Sequence, residues 1–166
     1  MIRFATVGTN FIVKQFLNAA ARSNELFYAV SYSRDREKAK AFAAEYGPCR
    51  YCTDLLELAE SKDVDAAYVA SPNSLHFEQS VLMLSHGKHV MCEKTITSNW
   101  MELNKLVEIA DKNHVVLLEA MRFVFDPGFA IIQENLKRLG AIRRVSFQYC
   151  QYSLWKEWRK GSFGVS

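Results

Sequence analysis

The chain lacks any apolar run approaching the ~20 residues that a membrane-spanning helix needs. It also lacks a signal-peptide layout, because Ile2-Arg-Phe-Ala-Thr-Val7 opens directly as a strand pattern. Together these absences exclude a membrane partner and point to the cytoplasm. A charge excess of one sign is missing too: 21 Lys and Arg face 18 Asp and Glu, for a net charge of +3. Only Arg138 to Lys160 leans basic, and a charge run of this kind reads as a solvated face, not a nucleic-acid surface. Solenoid-period repeats and low-complexity stretches are absent. Cysteine is scarce, with four in 166 residues, and in a cytosolic chain these are reduced thiols. Cys49 and Cys52 form a lone Cys-x-x-Cys with no second pair or histidine at ligand spacing. They read as small buried thiols and not as a metal or redox pair.

What is present is an ordinary globular composition, 49% hydrophobic and 23% charged, long enough for one domain with a real core. Strand and helix patterns alternate. Strands are expected at 2–7, 26–32, 50–52, 66–70, 88–92 and 115–118. Helices are expected at 11–22, 36–46, 55–60 capped by Thr53, 74–85, and 99–112 with Asn99 and Glu102 at capping-box spacing. Asp126-Pro127 starts a further helix whose inner stripe is Phe129, Ile132, Leu136 and Leu139, ending at Gly140. Such alternation predicts right-handed βαβ units and a doubly wound parallel sheet of order 3-2-1-4-5-6. Arg143 to Tyr152 reads as a β-type run with no helix after it, the first strand of a second, truncated α/β domain. The predicted organisation is a dinucleotide-binding domain at 1–122, a connecting helix at 123–140 and the start of another domain at 141–166.

Ligands of open α/β sheets bind beyond the carboxyl ends of the strands. That edge would gather Gly8–Asn10, Ser71–His76 and Glu93–Lys94. The turn Gly8-Thr-Asn-Phe-Ile-Val13 keeps only the first glycine of a Gly-x-Gly-x-x-Gly fingerprint. Asn10 tolerates left-handed backbone, and Val13 would hold the helix slightly off the sheet. The turn still offers a helix N-terminus to a phosphate, although a plain βα turn has the same pattern. Strand two ends in Ser33-Arg34, which favours a 2′-phosphate and hence NADP over NAD, because the guanidinium fork donates two parallel hydrogen bonds. Asp35 comes one position late for ribose hydroxyls and would cap the next helix. Asn73 or Ser74 could serve as a helix cap with His76 on the surface of the first turn, or Asn73 and His76 could face the cofactor. Lys94, past a buried strand end, can exchange a proton with a carbonyl oxygen, or be a salt-bridged or solvated lysine.

Val69-Ala-Ser-Pro-Asn-Ser-Leu-His76, Gly87-Lys-His-Val-Met-Cys-Glu-Lys94, Ser33-Arg34 with Lys38-Ala-Lys-Ala-Phe-Ala43, and Glu119-Ala-Met-Arg122 resemble the glucose–fructose oxidoreductase/inositol dehydrogenase (Gfo/Idh/MocA) family, dihydrodiol dehydrogenase-like subgroup. The resemblance covers residues 1–152. It implies a Rossmann domain followed by an α/β domain that forms the substrate wall and often the dimer interface. It implies a pyrophosphate turn at Gly8, Thr9, Asn10, Phe11 and Ile12, and an adenosine ribose site at Ser33 and Arg34. Ser71, Asn73, His76 and Glu93 are implied along the nicotinamide half, Glu119 and Arg122 at the cofactor's far side, and Lys94 as the catalytic lysine. The family's Glu-Lys-Pro is here Glu93-Lys94-Thr95, which leaves the backbone that aims Lys94 less restrained. The aspartate and histidine of the second domain have no counterpart here.

The expected function is NADP(H)-dependent oxidation or reduction of a polyol or carbonyl substrate, with nucleotide binding retained and turnover weak in this chain. A non-catalytic nucleotide-binding module is the alternative. Homo-oligomerisation through 141–166 is a third expectation, from the unpaired strand and Tyr149, Tyr152, Trp155 and Trp158 near it.

Overall fold

The structure, a computed structural model, describes residues 1–47, 49–148 and 150. Six parallel strands form one sheet: β1 (Ile2–Val7), β2 (Leu26–Tyr32), β3 (Arg50–Cys52), β4 (Ala66–Val69), β5 (His89–Cys92) and β6 (Leu117–Glu119). Their order is β3-β2-β1-β4-β5-β6, the doubly wound order read from the sequence. Helices α1 (Phe11–Ala20), α2 (Arg36–Glu45), α3 (Leu55–Glu60), α4 (His76–Ser85) and α5 (Trp100–Lys112) alternate with the strands.

Strand side chains alternate between faces, so β1 feeds two cores. Phe4 packs with Val13 and Leu17 of α1, Phe42 of α2 and Tyr68 of β4. Ala5 and Val7 pack with Leu58 of α3, Met83 and Leu84 of α4 and Leu106 of α5. Val13, at the third glycine position of the fingerprint, is wholly buried in the first of these cores. It is therefore one of the residues that bind α1 to the sheet.

The register sets up the ligand edge. Val7 pairs with Tyr32 and Val69, Val69 with Cys92, and Cys92 with Glu119. The next residues, Gly8, Ser33, Ala70, Glu93 and Ala120, therefore leave the sheet along one line. Helix caps stabilise the turns that follow. Asp35 caps α2 by accepting from Lys38 N–H at 3.2 Å, and Asn99 caps α5 by accepting from Glu102 N–H at 3.0 Å. The Glu102 carboxylate reaches back to the Ser98 N–H and hydroxyl, one residue earlier than a capping box requires. The cap of α3 is Asp54 and not Thr53; its carboxylate accepts from Leu56 and Glu57 N–H groups.

Two expectations fail beyond β6. Helix α6 (Pro127–Leu136) forms, with Asp126 capping it and Pro127 in its first turn, but no residue of it is buried. Ile132, Leu136 and Leu139 are exposed rather than inward, because among the described residues α6 packs mainly against the short turns that flank it. Residues 143–148 carry no strand. A strand needs a neighbour to satisfy its backbone, and none is supplied among the described residues. The remainder of the expected run, with Tyr149, Tyr152, Trp155 and Trp158, lies outside the described residues. No helix among the described residues is long and apolar enough to cross a membrane.

The opposite edge of the sheet is locked by charge. Arg3 donates from its backbone N–H, Nε and Nη2 to Asp65 at 2.8, 3.0 and 2.6 Å. Lys88, nearly buried, donates to the carbonyls of Ser61 and Val64. The Arg3 hydrogen bonds hold the Asp65 carboxyl down to about 2, against a usual 3.8. Its stabilising effect is present above the usual value and is lost as pH falls through about 2. Asp65→Asn is expected to lower the urea midpoint at pH 7. The gap between variant and parent should close as pH falls from about 4 to about 2. A pH-independent gap would contradict this account.

Candidate functional site

A cleft of about 870 Å³ runs along the carboxyl edge of β2, β1, β4 and β5. Gly8, Thr9, Asn10, Phe11, Ile12, Ser33, Arg34, Ser71, Asn73, Glu93 and Lys94 line it. Lys38 and Gln79 line it too and were not anticipated. Lys38 lies three residues past Asp35 on α2, and Gln79 one turn past His76 on α4. A helix-turn spacing from residues already singled out was the available signal.

At the β1 turn, Gly8 has φ +119°, a backbone that L side chains rarely adopt. A Cβ there would lie 2.7 Å from the Ala70 carbonyl oxygen. Asn10 is extended, at φ −82° and ψ 179°, so left-handed tolerance is not its role. Its Oδ1 caps α1, accepting from the Ile12 and Val13 N–H groups at 3.0 and 3.2 Å. Its Nδ2 donates to the Ala70 carbonyl at 2.6 Å, tying the β1 turn to the end of β4. The N–H groups of Thr9 and Phe11 take no protein acceptor among the described residues. The turn therefore keeps a close-approach glycine, unpaired amides and the positive end of α1, a donor set that fits a pyrophosphate.

At the β2 end, the Ser33 hydroxyl accepts from Asp35 N–H at 3.2 Å, which leaves its own proton to donate. Arg34 and Lys38 are exposed along the cleft. The Asp35 carboxylate is engaged elsewhere. The Lys38 backbone N–H holds it below its usual range, and the Lys38 ammonium lies 3.4 Å away. Two cations and a hydroxyl with no free acid beside them fit a phosphate better than a bare ribose diol.

At the β4 and β5 ends, neither Asn73 nor Ser74 acts as a side-chain cap. Residues Asn73–Leu75 form a 3-10 turn ahead of α4, with no side-chain cap bond at either start. Asn73 is exposed along the cleft. The Ser71 hydroxyl donates to Gln79 Oε1 at 2.6 Å. The Tyr68 phenol, 3% exposed and stacked on Phe16 at 4.0 Å, donates to Glu93 Oε1 at 2.6 Å. Burial, then the Glu93 carboxylate, pushes that phenol well above its ordinary range, so it remains a donor. Glu93 is thereby oriented, with its second oxygen uncommitted among the described residues. Lys94 is exposed on the cleft wall and forms no ion pair among the described residues.

Three anticipated residues do not line the cleft. His76 is not on the surface; it is fully buried behind the wall, with its ring nitrogens near the carbonyls of Ser71 and Thr95. Glu119 ends β6, and its Oε1 accepts from Ile96 N–H at 3.1 Å. Arg122 begins an exposed 3-10 turn at Arg122–Phe125.

Among the described residues, no cysteine lines the cleft. Burial raises Cys92 to about 12 and Cys49 to about 11, and raises Cys52 as well, which keeps all three protonated at neutral pH. Of the pair expected to be buried, Cys52 is buried and Cys49 only partly so.

Residues 2–121 match the model of an oxidoreductase family with an NAD-binding Rossmann fold, Gfo/Idh/MocA. The chain is 46% identical over 153 residues to the scyllo-inositol 2-dehydrogenase (NADP(+)) of Bacillus subtilis (strain 168), covering 92% of this chain and 47% of that protein. It is 30% identical over 119 residues to the trans-1,2-dihydrobenzene-1,2-diol dehydrogenase of Xenopus tropicalis, covering 70% of this chain and 36% of that one. Among solved structures it is similar to a 3-ketoreductase from Actinomadura kijaniata in complex with NADP and TDP-benzene. The TM-score is 0.78 and the identity 28%, with coverage of 82% of this chain and 42% of the other. The chain thus spans about half the length, or less, of the relatives it matches.

Proposed function

This chain belongs to the Gfo/Idh/MocA family of oxidoreductases, and on that premise we propose that it is the dinucleotide-binding half of an NADP(H)-dependent oxidoreductase acting on a polyol or carbonyl substrate. In this reading residues 1–122 form the cofactor domain, 123–140 a connecting helix and 141–166 the start of a substrate domain. Bound NADP+ supplies the hydride acceptor, and reduced NADPH the donor. The chain's own residues bind, orient and move a proton. Gly8, Thr9, Asn10, Phe11 and Ile12 cradle the pyrophosphate. Ser33 and Arg34, joined by Lys38, hold the 2′-phosphate. Ser71, Asn73 and Glu93 orient the nicotinamide half. Lys94 takes the proton of the reacting hydroxyl during oxidation and returns it to the carbonyl oxygen during reduction.

The observation that carries this reading is the single cleft edge that holds a close-approach glycine turn, an arginine with no competing acid, and an uncommitted lysine. Cyclitols are the first substrates to try, because a relative 46% identical over 153 residues is named for scyllo-inositol. In the longest natural form of the protein, Lys94→Ala is expected to lower kcat by about 100-fold or more, with NADPH affinity changed less than about threefold. If turnover is unchanged, Lys94 is not the proton-transfer group.

Self-association belongs to the same proposal. The segment after α6 presents Ile142, Val145 and Phe147 to solvent, and an exposed apolar stretch of this kind marks an interaction surface. A dimer in sedimentation that dissociates on deletion of 141–166 is the expected result. A monomer at high concentration contradicts it.

A further inference from the structure

The Thr95–Ile96 peptide follows Lys94 directly, and side chains from two different elements grip its two ends. His76, at the start of α4, places Nδ1 2.9 Å from the Thr95 carbonyl oxygen. Glu119, at the end of β6, accepts from the Ile96 N–H at 3.1 Å. Neither His76 nor Glu119 lines the cleft. His76 is 0% exposed, and Ile96 itself is buried at 5%. The other face of the His76 ring is tied as well, with Nε2 2.8 Å from the Ser71 carbonyl oxygen. His76 thus bridges the backbones of two cleft-lining turns. A neutral ring has one N–H for these two carbonyls, so the grip on Thr95 requires the tautomer with the proton on Nδ1.

Upstream of Lys94 the chain is fixed in the same manner. The Glu93 N–H donates to the Val69 carbonyl at 2.8 Å, and the Glu93 carboxylate is held by Tyr68. Lys94 is thus an exposed side chain between two anchored peptides. Thr95 has no ring to fix its own φ, so the direction in which Lys94 leaves the sheet depends on what holds the peptide after it.

We propose that His76 and Glu119 are positioning residues that grip the two ends of the Thr95–Ile96 peptide and so aim Lys94 into the cleft, without themselves touching cofactor. The inference rests on the proton-transfer reading of Lys94. Its outcome is separable from that reading, because the grip is measurable in the chain without cofactor.

Paired substitutions of His76 test it. The amide nitrogen of asparagine falls near the position of Nδ1, and that of glutamine near Nε2. His76→Asn therefore keeps a donor for Thr95 and gives up Ser71, while His76→Gln does the reverse. Both remove the same ring, so a merely structural role affects them alike. Two readouts apply to the whole chain: hydrogen exchange at the Ile96 amide, and the response of the Lys94 signal to NADP+ in the NMR spectrum of the 13C-methylated protein.

His76→Gln is expected to speed Ile96 exchange about tenfold, the effect of one lost hydrogen bond, and to shrink the Lys94 response. His76→Asn should keep both within about threefold of the parent. Glu119→Ala should speed Ile96 exchange while Glu119→Gln, which retains an acceptor oxygen, should not. Equal behaviour of the two His76 variants, or a full Lys94 response in His76→Gln, overturns the proposal. If the parent's Lys94 signal ignores NADP+ while the amides of Gly8 to Phe11 respond, the reading of Lys94 itself fails. The Ile96 exchange rates then still decide whether the grip exists.

Discussion

Gly8→Ala is expected to abolish dinucleotide binding and to cost the fold about 2–5 kcal/mol. The backbone at Gly8 has φ +119°, and holding an alanine there costs about 1–3 kcal/mol. The new methyl would also meet the Ala70 carbonyl, with its oxygen at 2.7 Å and its carbon at 3.1 Å. Neither side can retreat cheaply. The Gly8 N–H is bonded to the Tyr32 carbonyl at 3.1 Å, and the Ala70 N–H to the Val7 carbonyl at 3.0 Å. The same Ala70 oxygen receives the Asn10 amide. Moving it would loosen the cap of α1 and with it the amides offered to phosphate. Gly87→Ala is the control: it is also at positive φ, but no atom lies within 4 Å of the added Cβ. It should destabilise by about 1–2 kcal/mol through strain alone and leave NADPH binding intact. Urea unfolding and NADPH titration of the two variants check this. A Gly8→Ala protein that binds NADPH like the parent would remove the close-approach turn from the account.

Arg34→Ala is expected to weaken NADPH binding by about 10–150-fold, the effect of losing charge-assisted hydrogen bonds of about 1.5–3 kcal/mol. NADH binding should change less than about threefold, since no 2′-phosphate loses a partner. Ser33 lies beside Arg34, and Lys38 is the second cation of this end of the cleft. Lys38→Ala should act more weakly, because an exposed ammonium already near Asp35 adds little. If Arg34→Ala weakens NADPH and NADH equally, the arginine contacts a part common to both. The 2′-phosphate preference would then have to come from another residue.

The sheet and its ligand edge were legible because their signals are local and agree with one another. Six apolar runs separated by helical periods leave few topologies, and the observed order follows. Gly8, Ser33, Ser71 and Glu93 were legible for the same reason, as each comes within two residues of a strand end, whereas Lys38 and Gln79 sit on helices and were not. What the sequence did not disclose depends on partners distant in the chain. His76 looks like a first-turn surface residue, yet it is fully buried, and one of its ring contacts is to the Thr95 turn, 19 residues later. Asn10 looks like a stand-in for a flexible glycine, and its bond to Ala70, 60 residues away, makes it a cap and a tie. The apolar stripe of α6 shows how far periodicity reaches: it tells which face of a helix is apolar, not whether anything covers it. The expected strand at 143–152 fails over 143–148 on the same point, because β-propensity describes a fit to neighbours that must themselves be present.

The most direct test of the central claim, an NADP-preferring dinucleotide cleft, is titration of the 166-residue chain with NADPH and with NADH, followed through its three tryptophans and the nicotinamide fluorescence. The account predicts saturable binding of NADPH and at least about tenfold weaker binding of NADH. No saturable binding of either nucleotide, or equal affinity for both, would contradict it.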